Sequence, residues 1–192
     1  MTNRGQVCLP CRSPDAQRRE VVEQPIEQLP AVSDAMAGRN DRAIAVLRIA
    51  VGVLFLVFGE YKVFGREFVF GGGFQGWIQR FLAEGAYPFM VPVLRGVVLP
   101  HARAFALLVA YGELALGVSL VLGVWVRPAS LCGLVYMLAL LFSANYPGPD
   151  AVLWHYLGGA LEHLVLALCF VAFLVGAPER TWSVSAVLAR GR

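Results

Sequence analysis

Charge is what this chain has least of. Of its 192 residues only 15% are charged, against about 25% in soluble domains. Lys62 is the single lysine among 16 basic residues, and the arginines are scattered. With a net charge of +3 there is no concentrated basic face, which excludes a nucleic-acid-binding surface. Residues 1–42 contain no apolar run of the kind that drives secretion, so no signal peptide is expected and the first apolar segment must serve as the membrane address. Cysteine is sparse, at four residues. Cys132 and Cys169 fall in apolar segments, where a thiol acts as a small apolar side chain. Cys8 and Cys11 form a lone CxxC with no second pair and no βαβ context, so chance spacing in a tail is a better reading than a redox or metal pair. No hydrolase triad, phosphate loop or dinucleotide fingerprint occurs.

What remains is apolar. Hydrophobic residues make up 58% of the chain and mean hydropathy is +0.64, more than a soluble core of this size requires. The expected architecture is all-α: an integral membrane four-helix bundle, 43–176, between a polar, proline-broken and disordered N-terminal tail, 1–42, and a short basic C-terminal tail, 177–192. The spans are read at 43–64, 103–126, 128–146 and 152–175. Arg127-Pro128 is expected as a tight turn joining the second and third spans into a hairpin. The long first loop carries Phe74, Trp77, Ile78, Phe81 and Leu82 at helical spacing, opposite Gln75, Gln79, Arg80 and Glu84. This is a short amphipathic helix suited to the membrane interface, its aromatic stripe facing lipid or capping the bundle rather than forming a cofactor platform. The apolar stretch 89–99 reads as a re-entrant or surface piece. Basic residues favour both termini in the cytoplasm, with Arg66, Arg80, Arg95 and Arg103 on the outer side.

The ionisable groups inside these spans carry the functional signal, because a carboxylate in the bilayer costs about 2–3 kcal/mol and is kept for a partner charge or a cavity. Glu113 and Glu162 each fall about 15 Å into an inward-running span, near the midplane. His163 adjoins Glu162 but points about 100° away around the helix. Glu60 lies near the outer end of the first span, and Tyr111 and His155 nearer the outside. These residues suggest one polar pocket in which Glu113, Glu162 and His163 relay protons, with Glu60 at its mouth. Quinone reduction needs protons delivered beside a flat apolar site, which such a pocket offers. The plainer reading is that these groups only knit the helices together. Arg48 is read as snorkelling to the interface and Lys62 as an interfacial anchor. A metal site is not expected, since the paired i, i+3 or i, i+4 ligands are missing. Gly112, Gly117 and Gly123 permit close helix contacts, within the chain or in a homo-oligomer.

The first span, LRIAVGVLFLVFGEYKVF, and the later stretch ELALGVSLVLGVWVR resemble the DoxX family, with its LR-x-x-x-G-x-x-F-x-x-x-G-x-x-K-x-F opening and E-x-x-x-G-x-x-L-x-L-G-x-x-x-R core. The resemblance covers roughly residues 43–175 and places Arg48, Gly59, Lys62, Glu113, Gly117, Gly123 and Arg127 at motif positions. The C-terminal PERTWSVSA keeps Arg180 and Trp182 of the family's closing segment but loses its acidic end. The family, which includes the DoxD-like subunit of thiosulfate:quinone oxidoreductase, implies an inner-membrane protein linked to sulfur compounds, quinones or redox defence. A quinone is then the expected electron acceptor, with no covalently bound cofactor, in a pocket of Glu60, Tyr111, Glu113, Arg127 and His163. Lipid and a second redox subunit are the expected partners. A scaffold for a soluble redox enzyme and a small transporter or proton channel are the competing readings.

Overall fold

The structure, a computed structural model, describes residues 29–176, 181–184 and 187, with side chains from residue 37 onward. Cys8, Cys11 and Arg180 lie outside the described residues. The chain divides into two units, Met1–Gly38 and Arg39–Arg192. The described elements are all helical. Helix α1, Leu29–Phe64, begins inside the stretch expected to be disordered, so residues 29–42 are helical. Pro30 falls in the first turn, where its missing N–H costs no hydrogen bond. Ala31, Ala35 and Ala37 then supply the strongest helix formers.

After α1 come α2, Arg66–Val69, and α3, Gly73–Glu84. Next are the single turn α4, Val91–Val93, and a π-helical turn, Leu94–Val98. Helices α5, Ala102–Leu122, and α6, Val126–Ser143, form the expected hairpin. The turn is Gly123–Trp125, however, and Arg127-Pro128 belongs to the first turn of α6. Gly123 and Trp125 both hold positive φ, 68° and 52°. Glycine adopts this conformation without steric cost, so the helix stops there. The amides of Gly123 and Val124 donate to the Ser119 carbonyl, while the Ser119 hydroxyl donates to the Val124 carbonyl.

The expected fourth span is interrupted. It forms α7, Leu153–Gly158, and α8, Leu161–Val175. The break falls at the Gly158-Gly159 pair, where backbone freedom makes continued helix costly. Among the described residues three helices are long and apolar enough to cross a membrane: Ala37–Phe64, Ala102–Leu122 and Val126–Ser143, with Leu161–Val175 apolar but shorter.

One core joins Val51 and Phe55 of α1, Leu116 and Leu120 of α5, Val126 and Met137 of α6, and Ala167, Phe170 and Phe173 of α8. Phe170 fills a notch left by Gly133, where a Cβ would run into its ring, and meets Phe55 edge-on at 5.5 Å. A second cluster gathers Phe74 and Ile78 of α3, Leu94 and Val98 of the π turn, Ala86 and Ala106. The stripe on α3 is thus mostly inward: Phe74 and Ile78 are buried, Phe81 and Leu82 pack against the cluster, and Trp77 is exposed. Residues 89–99 form helical turns at the surface, with Leu94 and Val98 buried in this cluster and most of the other side chains exposed. Nearby, Tyr87 packs edge-on against Phe142 at 5.2 Å and meets Tyr146 at 5.0 Å. Burial, and then the Tyr146 hydroxyl, hold the Tyr87 phenol above the usual tyrosine range.

A polar node on a glycine seam

Lipid offers helices no hydrophobic reason to associate, so their contacts depend on close packing and polar pairs. Helices α1 and α5 use both. A Cβ on Gly59 would lie 2.7 Å from the Leu114 amide nitrogen, and one on Gly117 would lie 2.7 Å from the Leu56 amide nitrogen and 2.9 Å from the Gly52 carbonyl. The two backbones touch along this seam, with no room for a methyl group between them.

Glu113 sits at one end of the seam, buried at 5% exposure. The Lys62 ammonium donates to both of its oxygens, at 2.5 and 2.6 Å. The Tyr136 hydroxyl donates to Oε1 at 2.6 Å. Three helices, α1, α5 and α6, thus meet at one carboxylate. Two donors on Oε1 and one on Oε2 satisfy an acid that would be costly alone. Lys62 is not the interfacial anchor its place near the end of α1 suggested. Its Nζ lies 5.3 Å from the centre of the Phe68 ring, because the loop after α1 folds back over it.

At the other end of the seam Arg48 is fully buried, where snorkelling was expected. It donates to the Trp182 carbonyl at 2.6 Å, and a Cβ on Gly123 would lie 2.6 Å from its Nη1. A guanidinium at the C-terminal end of α5 also meets the negative end of that helix dipole.

The remaining candidates are placed elsewhere. Glu60, Tyr111 and Arg127 are exposed, and Arg127 lies just beyond the α5–α6 turn, about 15 Å along the axis from Glu113. The Glu162 side chain is 69% exposed, and its Oε1 lies 3.4 Å from His163 Nδ1. No hydrogen bond or ion pair joins either residue to Glu113 among the described residues. Among those residues no cluster of His, Cys, Asp or Glu has the makings of a metal site. Tyr136 went unnoticed in the sequence, although a signal existed: Glu113 and Tyr136 lie nearly the same number of residues either side of Val124, the middle of the hairpin turn.

The model of the DoxX family matches residues 43–146. This chain belongs to the DoxX family. The match covers Arg48, Gly59, Lys62, Glu113, Gly117 and Gly123, which all lie on the α1–α5 seam, and Arg127 just past its end. The family match thus falls on the seam and the hairpin, and α7 and α8 lie beyond it. Comparison with curated proteins and with solved structures returns no match. With its apolar helices, the chain is a multi-pass integral membrane protein of the DoxX family.

Proposed function

We propose that this DoxX protein is a membrane subunit of a quinone-linked redox system, with the Lys62–Glu113–Tyr136 node at its quinone site. The observation that carries the reading is a buried carboxylate held by two proton donors from different helices. A quinone that takes two electrons also takes two protons. Tyr136 and Lys62 are the protic side chains in contact with Glu113, so the node can pass protons to a quinone oxygen and be refilled. The Lys62 side chain is 19% exposed against 6% for Glu113, so a headgroup meets Lys62 first. The electrons come from a second redox subunit that oxidises a sulfur compound such as thiosulfate. The protein sits in the inner membrane with both termini in the cytoplasm. Helices α7 and α8 make an interrupted fourth crossing that completes a four-helix bundle, and α3 lies at the outer interface. Glu162 and His163 serve this reading only as a separate proton entry, reached through water.

The test is quinone binding by the purified protein in mild detergent, read through tryptophan fluorescence. E113Q and K62M run beside the parent protein, with circular dichroism to establish that all are folded. Saturable binding that weakens in both variants supports the reading. Equal binding in all three, or none above the detergent background, removes it. A scaffold for a soluble redox enzyme is the second reading, favoured because every partner of Glu113 comes from another helix, as knitting requires. Retained capture of a partner subunit by E113Q, without quinone binding, would support it.

A further inference from the structure

Lys62 lies near the end of a membrane-length helix, yet only 19% of its side chain is exposed. The cover is the short segment that follows. Helix α2 carries Phe68, whose ring lies against the Lys62 ammonium at 5.3 Å and meets the buried Phe74 edge-on at 5.8 Å. The next aromatic, Phe70, lies under the Arg103 guanidinium at 4.8 Å, which ties the far end of the segment to α5. Glycine brackets the segment: Gly65 before it, Gly71-Gly72-Gly73 after it. Gly72 holds φ at +80°, a conformation glycine takes without steric cost, and a Cβ there would meet nothing within 4 Å. No residue of α2 is buried. This four-residue helix between glycines is held by the two ring–cation contacts and by Phe68 and Val69, which pack half-buried against the Phe74–Ile78 cluster; with no buried residue of its own, it is among the less costly parts of this fold to open.

We infer that the segment Arg66–Phe70 is a gate over the Lys62–Glu113 pair, and that Phe68 is its latch. An ammonium facing a ring is held by the ring quadrupole, and that contact strengthens as water is excluded. With the gate closed, Phe68 keeps water and solutes off the ammonium while Glu113 holds it from the other side. With the gate open, the ring site beside the ammonium becomes vacant, and a flat quinone headgroup has the shape to enter it and a carbonyl oxygen to accept a hydrogen bond from Lys62. This deepens the quinone reading by naming the residue that controls entry. The gate itself is tested without any quinone.

Lys62 is the chain's single lysine, so a water-soluble acylating reagent reports on it and on the α-amino group alone, and peptide mass spectrometry separates the two. The full chain in detergent micelles is labelled with an N-hydroxysulfosuccinimide acetate at a fixed alkaline pH, and the Lys62 rate is read against the α-amino rate. In the parent protein Lys62 labels slowly. F68A raises its rate by about tenfold or more, the increase expected when a mostly closed state becomes mostly open. F68W, which keeps a ring over the ammonium, restores slow labelling. F70A, which loosens only the Arg103 tie, gives an intermediate rate. Circular dichroism and size exclusion establish that each variant is folded. If F68A does not fold, F68L takes its place, retaining bulk but not the ring, and again labels faster. Equal Lys62 rates in the parent and in the folded F68A or F68L overturn the gate, as does a parent rate already matching that of the α-amino group. A labelling result that overturns the gate leaves the parent protein's quinone measurement standing, and absence of quinone binding leaves the labelling ratio untouched.

Discussion

Gly59 of α1 lies directly against the Leu114 backbone of α5: a Cβ there would sit 2.7 Å from the amide nitrogen and 3.0 Å from Cα. Backbone cannot rotate aside as a side chain can. G59V therefore forces the two helices apart and costs about 1–3 kcal/mol, as does G117V against Leu56. Gly112, on the same α5, has nothing within 4 Å of its added Cβ. G112A should instead stabilise the helix by up to about 1 kcal/mol. Thermal unfolding in detergent, followed by circular dichroism, reads both signs. Equal losses at the three positions would refute the seam.

The ion pair makes a prediction by its non-additivity. K62M leaves the Glu113 carboxylate buried with only Tyr136 and should cost about 3–5 kcal/mol, the range for stranding one partner of a buried pair. K62M/E113L removes both charges and should recover most of that loss. A double-mutant cycle in mixed micelles measures the coupling. If the double variant loses the sum of the singles, Lys62 and Glu113 are not partners.

Tyr136 donates one hydrogen bond to an ionised acceptor. Y136F should cost about 1.5–3 kcal/mol, because Oε1 keeps Lys62 as a donor but loses the phenol. The same unfolding measurement decides it. No change in stability would mean that the phenol makes this bond only part of the time.

At the far end of the seam, R48M removes the donor to the Trp182 carbonyl while keeping an apolar stem. Loss of this buried charged donor should lower stability by about 1.5–3 kcal/mol, read by thermal unfolding in detergent. An unchanged unfolding temperature, with the parent helix content, would show that other contacts hold Trp182.

The sequence by itself determined that this is a membrane protein. Sparse charge and long apolar runs leave no other solvent for its surface, and three of the four runs form span-length helices. It also determined that Glu113 needs a partner, since a lone carboxylate in lipid is too costly. Gly117 and Gly123 were legible as places of close approach, whereas Gly112, read the same way, has nothing within 4 Å of an added Cβ, and Gly59 was marked only by its place in the motif. Which partner Glu113 takes was decided only by the tertiary structure. Residue counts along a helix fix depth but not which neighbour a side chain faces, so Glu162 and His163 at matching depth looked as eligible as any group. The true partner comes from 51 residues away in the chain. Lys62 looked like an anchor because its helix ends two residues later, at Phe64. That inference assumes water beyond the helix end. Instead the loop returns, places Phe68 on the ammonium and packs α3 and the π turn against α5. Arg48 was misplaced for the same reason, since Trp182 covers it from the far end of the chain. Local sequence sets what each group must find, and long-range packing sets what it finds.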